Sequence, residues 1–114
     1  MFSNAILKIV PSTFSKGITT AGLGRPAVSL AIEQQELYAM ALKKCGLELI
    51  ILEANEDFPD SCFVEDVAVI TPEIAIVTRP GASSRRDETL SMIHVLEKYR
   101  TLDFITAPGT LGRW

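Results

Sequence analysis

What most constrains this chain is the order in which short β-branched runs and helical stripes follow one another. Residues 64–70 and 74–78 are two runs dense in Val and Ile, separated only by Thr71-Pro72-Glu73. That spacing predicts a hairpin with a short turn. Beyond Arg79-Pro80-Gly81, the residues Thr89, Met92, Ile93, Leu96 and Tyr99 recur at helical spacing and predict a buried helix face. Ser84 followed by Asp87 resembles a capping box at that helix start, with Asp in place of Glu. Residues 102–106 form one more apolar run, broken by Ala107-Pro108-Gly109. The second half therefore reads as strand, strand, helix, strand.

The first half is similar but shorter. Residues 5–10 read as a strand closed by Pro11, and residues 11–25 as a loop rich in Ser, Thr and Gly. A helix is expected from Pro26 to a stop at Gly46, with Leu30, Leu37, Tyr38, Ala41, Leu42 and Cys45 as its buried face. Residues 47–52 follow as a core strand. Strands alternating with helices imply an α/β layer architecture. The first half reads as the same ββαβ unit with one strand missing or placed elsewhere in the sequence.

A chain of 114 residues is expected to be one domain, 1–114. Its 47% hydrophobic and 22% charged residues are those of an ordered globular protein. A mean hydropathy of +0.24 points to apolar surface that seeks a partner, such as a second copy of the chain. A net charge of -3 argues against a nucleic-acid partner, which calls for a basic stripe. No apolar run approaches the roughly 18 residues a membrane span needs, so no membrane partner is expected. The first ten residues lack a basic segment followed by a long apolar block, so no signal peptide is read and the cytoplasm is the expected compartment. Cys45 and Cys62, without CxxC spacing, are expected to be reduced thiols.

Two clusters carry the chemistry. Residues 58–66, Phe-Pro-Asp-Ser-Cys-Phe-Val-Glu-Asp, place the carboxylates of Asp60, Glu65 and Asp66 within seven residues. In a regular strand Glu65 and Asp66 would face opposite sides, so one would turn inward and need a cationic or hydrogen-bonding partner. The partner is either a ligand or a nearby Lys or Arg. Residues 78–86 lead through a glycine turn to Arg85 and Arg86 at a helix start, where cations oppose the helix dipole. Arginine there either binds a carboxylate through its planar fork or pairs at the surface with Asp87 or Glu88. Together the clusters suggest a ligand with a cation at one end and a carboxylate at the other, as in a basic amino acid. A metal site from Asp60, Glu65 and Asp66 lacks both a histidine and Ca²⁺-loop spacing, so no metal or other cofactor is expected.

These two stretches, Phe-Pro-Asp-Ser-Cys-Phe-Val-Glu-Asp and Ala-Ile-Val-Thr-Arg-Pro-Gly-Ala-Ser-Ser-Arg-Arg, resemble the paired signature of the dimethylarginine dimethylaminohydrolases. The resemblance runs from the first strand through Gly109-Thr110-Leu111. It implies a partial pentein fold, a five-bladed α/β propeller of which the chain would hold about two ββαβ-like modules. Arginine deiminases and amidinotransferases share that fold. It also implies hydrolysis of methylarginine to citrulline plus methylamine or dimethylamine, by a cysteine nucleophile with a histidine as proton carrier. Carried over, Asp66 would pair with the guanidinium with Asp60 and Glu65 beside it, and Arg85 would bind the α-carboxylate. Phe63 would shape the pocket, and Ile18 would sit in a loop closing over the substrate.

In that family an acidic residue and Gly-Gly-Asp follow the Gly-Thr-Leu stretch, and the catalytic histidine and cysteine come much later. Here the sequence reads Gly112-Arg113-Trp114. One G inserted into GAA GGT GGT GAT gives GGA AGG TGG TGA, which encodes Gly, Arg, Trp and stop, so a frameshift or sequence error is the expectation. No catalytic residue is assigned. Cys62 lies beside carboxylates that disfavour a thiolate, and His94 falls off the buried helix stripe. The chain is expected to be inert alone and, with module faces exposed, to form a homodimer or larger assembly. The alternatives are a self-standing oligomeric binding module for arginine-like ligands, or a fragment of a related arginine deiminase or amidinotransferase.

Overall fold

The computed structural model describes residues 2–17 and 27–111. Length alone suggests one domain; the chain divides into two compact units, Met1–Cys62 and Phe63–Trp114.

In the first unit β1 (Asn4–Lys8) runs parallel to β2 (Glu48–Leu52), with Ile6 opposite Ile50. A parallel pair requires a long crossover, and α1 (Val28–Lys44) supplies it. A 3-10 turn (Ser12–Lys16) follows β1 within the expected loop. The helix ends as its sequence dictates. Gly46 adopts φ +84, Leu47 N–H reaches back to Leu42 O at 3.3 Å, and Gly46 N–H donates to Lys43 O at 2.9 Å. Such a turn satisfies carbonyls the helix leaves open.

The buried face of α1 is not the expected one. Leu30, Leu37 and Tyr38 are 51%, 60% and 56% exposed, and Ala41 and Cys45 are exposed too. The half-buried residues are Val28, Ala31, Ile32, Gln35, Ala39 and Leu42, which also fall on one face at 3.6-residue spacing. Of the expected stripe only Leu42 is among them. Gln35 explains the choice. Its side-chain amide donates to Lys8 O at 2.7 Å and accepts from Val10 N–H at 3.0 Å, closing backbone groups at the end of β1. Leu7, Val10 and Pro11 lie buried beside that junction.

The second unit is the expected ββαβ. β3 (Ala68–Ile70) pairs antiparallel with β4 (Ile74–Val77), and β4 pairs parallel with β5 (Thr101–Phe104), so β4 is central. Thr71 closes the hairpin: its hydroxyl accepts from Ile74 N–H at 3.0 Å, and its N–H donates to Ile74 O at 2.9 Å. α2 (Thr89–Leu96) buries Thr89, Met92 and Leu96, with Ile93 half-buried; Tyr99 lies past the helix and is 45% exposed. With Val67, Ala68, Ala75 and Val77 these form the core. The expected capping box is absent. The helix is instead preceded by a 3-10 segment, Ser83–Glu88, so Ser84 is not at a helix start.

Candidate functional site

The acidic cluster does not sit on a strand. Residues 64–70 were expected to be extended throughout, but Val64–Asp66 forms a single 3-10 turn before β3 begins. Asp66 N–H donates to Phe63 O at 3.1 Å and Val67 N–H to Val64 O at 3.2 Å. Strand alternation therefore does not place Glu65 and Asp66. The turn leaves Glu65 exposed and Asp66 half-buried. β4 anchors it from the other side: the buried Thr78 donates its hydroxyl to Asp66 O at 2.7 Å and its N–H to Val67 O at 3.0 Å.

Arg85 comes from the 3-10 segment ahead of α2 and points inward, only 2% exposed. Its Nε donates to Glu88 Oε2 at 2.9 Å and its Nη2 to Glu88 Oε1 at 2.8 Å, a bidentate fork. Its Nη1 donates to Asp66 Oδ2 at 2.7 Å, and Nη2 also reaches Phe63 O at 3.4 Å. Asp66 and Arg85, expected to hold opposite ends of one ligand, bind each other in this structure. Nor is Arg85 a surface partner of Glu88, since both side chains are buried. Burial alone would disfavour the charged guanidinium. Its hydrogen bonds to Glu88 and then to Asp66, with the Coulombic pull of both, outweigh it and raise the Arg85 pKa above its ordinary value.

The cluster runs from interior to solvent. The Glu88 side chain is 3% exposed, Arg85 2%, and Asp66 34%. The Asp66 carboxylate is thus the end that reaches solvent. Phe63, at the entrance of the turn, is 38% exposed. Arg86 is used differently, with its Nε donating to Pro80 O at 3.0 Å and so bracing the glycine turn. That turn is tied to the Gly-Thr-Leu stretch, because Leu111 N–H donates to Arg79 O at 3.0 Å and Gly81 N–H to Leu111 O at 3.2 Å.

Asp60 belongs to the first unit and is buried. Gly17 lies directly against its carboxylate, so closely that an added Cβ would collide with Asp60 Oδ1. Glycine is required there by contact rather than by backbone angle. Ile18 lies outside the described residues. The structure thus joins Phe63, Asp66 and Arg85 by hydrogen bonds, with Glu65 on the same turn. Glu88 and Thr78 complete that arrangement. The sequence signalled Glu88 only through its i,i+3 spacing from Arg85, which is the spacing of an ordinary surface pair.

The thiols and the imidazole are elsewhere in character. Cys45 is exposed and Cys62 half-buried. The His94 side chain is 77% exposed, as its position off the helix stripe predicts, and lies 3.5 Å from Glu97. Among the described residues no group of three or more His, Cys, Asp or Glu side chains is placed to hold a metal ion. No helix among them is long and apolar enough to cross a membrane.

No protein-family profile matches the chain. It is 38% identical over 113 residues to an N(G),N(G)-dimethylarginine dimethylaminohydrolase of Pseudomonas aeruginosa, covering 97% of this chain and 44% of that protein. The chain belongs to the dimethylarginine dimethylaminohydrolase family. It corresponds to the family's amino-terminal part and spans less than half the length of the curated relatives it matches. A Streptomyces coelicolor relative of the same name is 40% identical over 83 residues, 72% of this chain and 32% of that protein. A solved structure of the Pseudomonas aeruginosa enzyme, a variant complexed with citrulline, superposes with TM-score 0.94 at 38% identity, covering 97% of this chain and 44% of that one. The amino-terminal domain of a cyanobacterial arginine dihydrolase superposes at TM-score 0.78 with 15% identity, covering 93% of this chain and 40% of that one, a likeness of fold alone. The fold is thus that of a partial pentein-type α/β propeller.

Proposed function

We propose that this chain is the substrate-binding, amino-terminal portion of a hydrolase that converts a methylated arginine to citrulline and an amine. The observation that carries the reading is the Asp66 carboxylate, held half-exposed by Arg85 and Thr78 in a family whose solved members hold citrulline and S-methyl-L-thiocitrulline. A fixed carboxylate at a surface suits a guanidinium, which offers paired N–H donors in one plane. Asp66 is the guanidinium partner in this reading and Phe63 shapes the space beside it. Arg85 orients Asp66 in addition to the direct carboxylate contact that the resemblance implies. Ile18, Asp60 and Glu65 keep the substrate-binding roles the resemblance gives them.

The chain performs no hydrolysis by itself in this reading. Its single histidine is an exposed helix residue, and its half-buried thiol, Cys62, lies within the acidic stretch from Asp60 to Asp66. Incubation of the purified chain with asymmetric dimethylarginine is expected to give no citrulline, while calorimetry is expected to register binding that Asp66→Asn removes. Citrulline formation abolished by Cys62→Ala would overturn the inert reading. Absence of binding would overturn the substrate-binding one.

We also propose self-association through the outer face of α1, where Leu30, Leu37, Tyr38 and Met40 are each more than half exposed. Glu33 and Glu36 precede Lys43 and Lys44 along that helix, so an antiparallel second copy would set acid against base. Light scattering at micromolar concentration is expected to give a dimer or larger species; a monomer would contradict it. The exposed thiol of Cys45 suits the cytoplasm as the compartment.

A further inference from the structure

Glu88 is a carboxylate buried to 3% side-chain exposure beside a guanidinium buried to 2%. Such a pair contributes little net stability, because removing both charges from water costs about as much as their attraction returns. An apolar pair of similar volume would fill the same space. The presence of Glu88 therefore calls for a reason other than packing.

The charges supply one. Arg85 carries a single positive charge and meets two carboxylates, Glu88 through a two-bond fork and Asp66 through one Nη1 contact at 2.7 Å. These three side chains sum to one negative charge. The interior end is satisfied bidentately, so the uncompensated charge resides at the solvent end, on Asp66. Without Glu88 the Arg85–Asp66 pair would sum to zero charge and have little attraction for a cation.

We propose that Glu88 is a positioning residue that sets ligand charge specificity: by occupying the fork of Arg85 it leaves the Asp66 carboxylate negative, so that the site takes a guanidinium in preference to a neutral urea of the same shape. The proposal rests on the reading of Asp66 as the guanidinium partner. It also gives product release a physical basis, since citrulline carries a neutral ureido group where the substrate carries a cation.

The test uses two isosteric probes, methylguanidinium and methylurea, titrated into the 114-residue chain while the backbone amides of Phe63 to Asp66 are followed by NMR. Wild type is expected to prefer the cation, and Glu88→Gln to lose about tenfold of that preference with its fold intact. Glu88→Asp, which keeps the charge but shortens the arm, is expected to retain most of it. A purely structural role would weaken both probes alike. A folded Glu88→Gln variant with unchanged preference overturns the proposal while leaving Asp66 as the cation partner. If Glu88→Gln does not fold, a folded Glu88→Asp variant that has lost the preference overturns it. If wild type itself shows no preference for the cation, the reading of Asp66 fails first and this inference with it.

Discussion

The hydroxyl of Thr78 donates to the backbone carbonyl of Asp66 at 2.7 Å, linking the end of the central strand to the turn that presents the acidic side chain. Thr78 is 4% exposed, so its hydroxyl has exchanged water for this one acceptor. Backbone and side chain of Asp66 are thus fixed by different partners, Thr78 and Arg85. Thr78→Val keeps the shape and removes the donor. It should cost about 1–2 kcal/mol, seen as a lower urea midpoint with an unchanged slope. No shift in midpoint would mean the bond contributes nothing.

Arg85→Met should be far more damaging than its surface-like sequence context suggests. It strands Glu88 as a buried charge without its fork, at a cost of about 3–5 kcal/mol. Arg85→Met combined with Glu88→Met should recover most of that loss, because no orphan charge remains. Denaturant unfolding of the three variants decides it. Additive losses in the double variant would refute the coupling.

How far the residues themselves announced this arrangement differs from place to place. The hairpin, α2 and the stop at Gly46 followed from β-branched runs, helical spacing and a glycine at positive φ. The packed face of α1 did not. Its helix carries two apolar stripes, and the one containing polar Gln35 is turned inward because Gln35 meets the backbone at the end of β1. A ranking by hydrophobicity discards that residue. In the site, Asp66 and Arg85 stood out as charges in unusual places, but their pairing spans 19 residues and depends on a 3-10 turn that Val64 disguises as strand.

Gly17→Ala should perturb Asp60 without unfolding its unit. The new methyl would collide with the carboxylate, which should yield by rotating away. The Asp60 amide should shift by NMR while the urea midpoint moves by less than about 1 kcal/mol. An unmoved Asp60 signal would show that the backbone gives way instead.

Acid should release the turn that follows β1. The Ser12 hydroxyl and Thr13 N–H donate to Glu56, and the Ser12 side-chain bond is the chief cause holding its carboxyl below the ordinary value of 4.5. A depressed folded pKa means the tie is fully present above 4.5 and is lost as pH falls through the lower folded value. The Thr13 amide shift should therefore titrate with a midpoint below 4.5, and Glu56→Gln should remove that titration. A midpoint above the ordinary value would reverse the sign of the argument.

The most direct measurement is a crystal structure of this chain soaked with asymmetric dimethylarginine. The ligand's guanidinium nitrogens should lie within hydrogen-bond distance of Asp66 while Arg85 remains forked on Glu88. A bound ligand with Asp66 turned away from its guanidinium would contradict this.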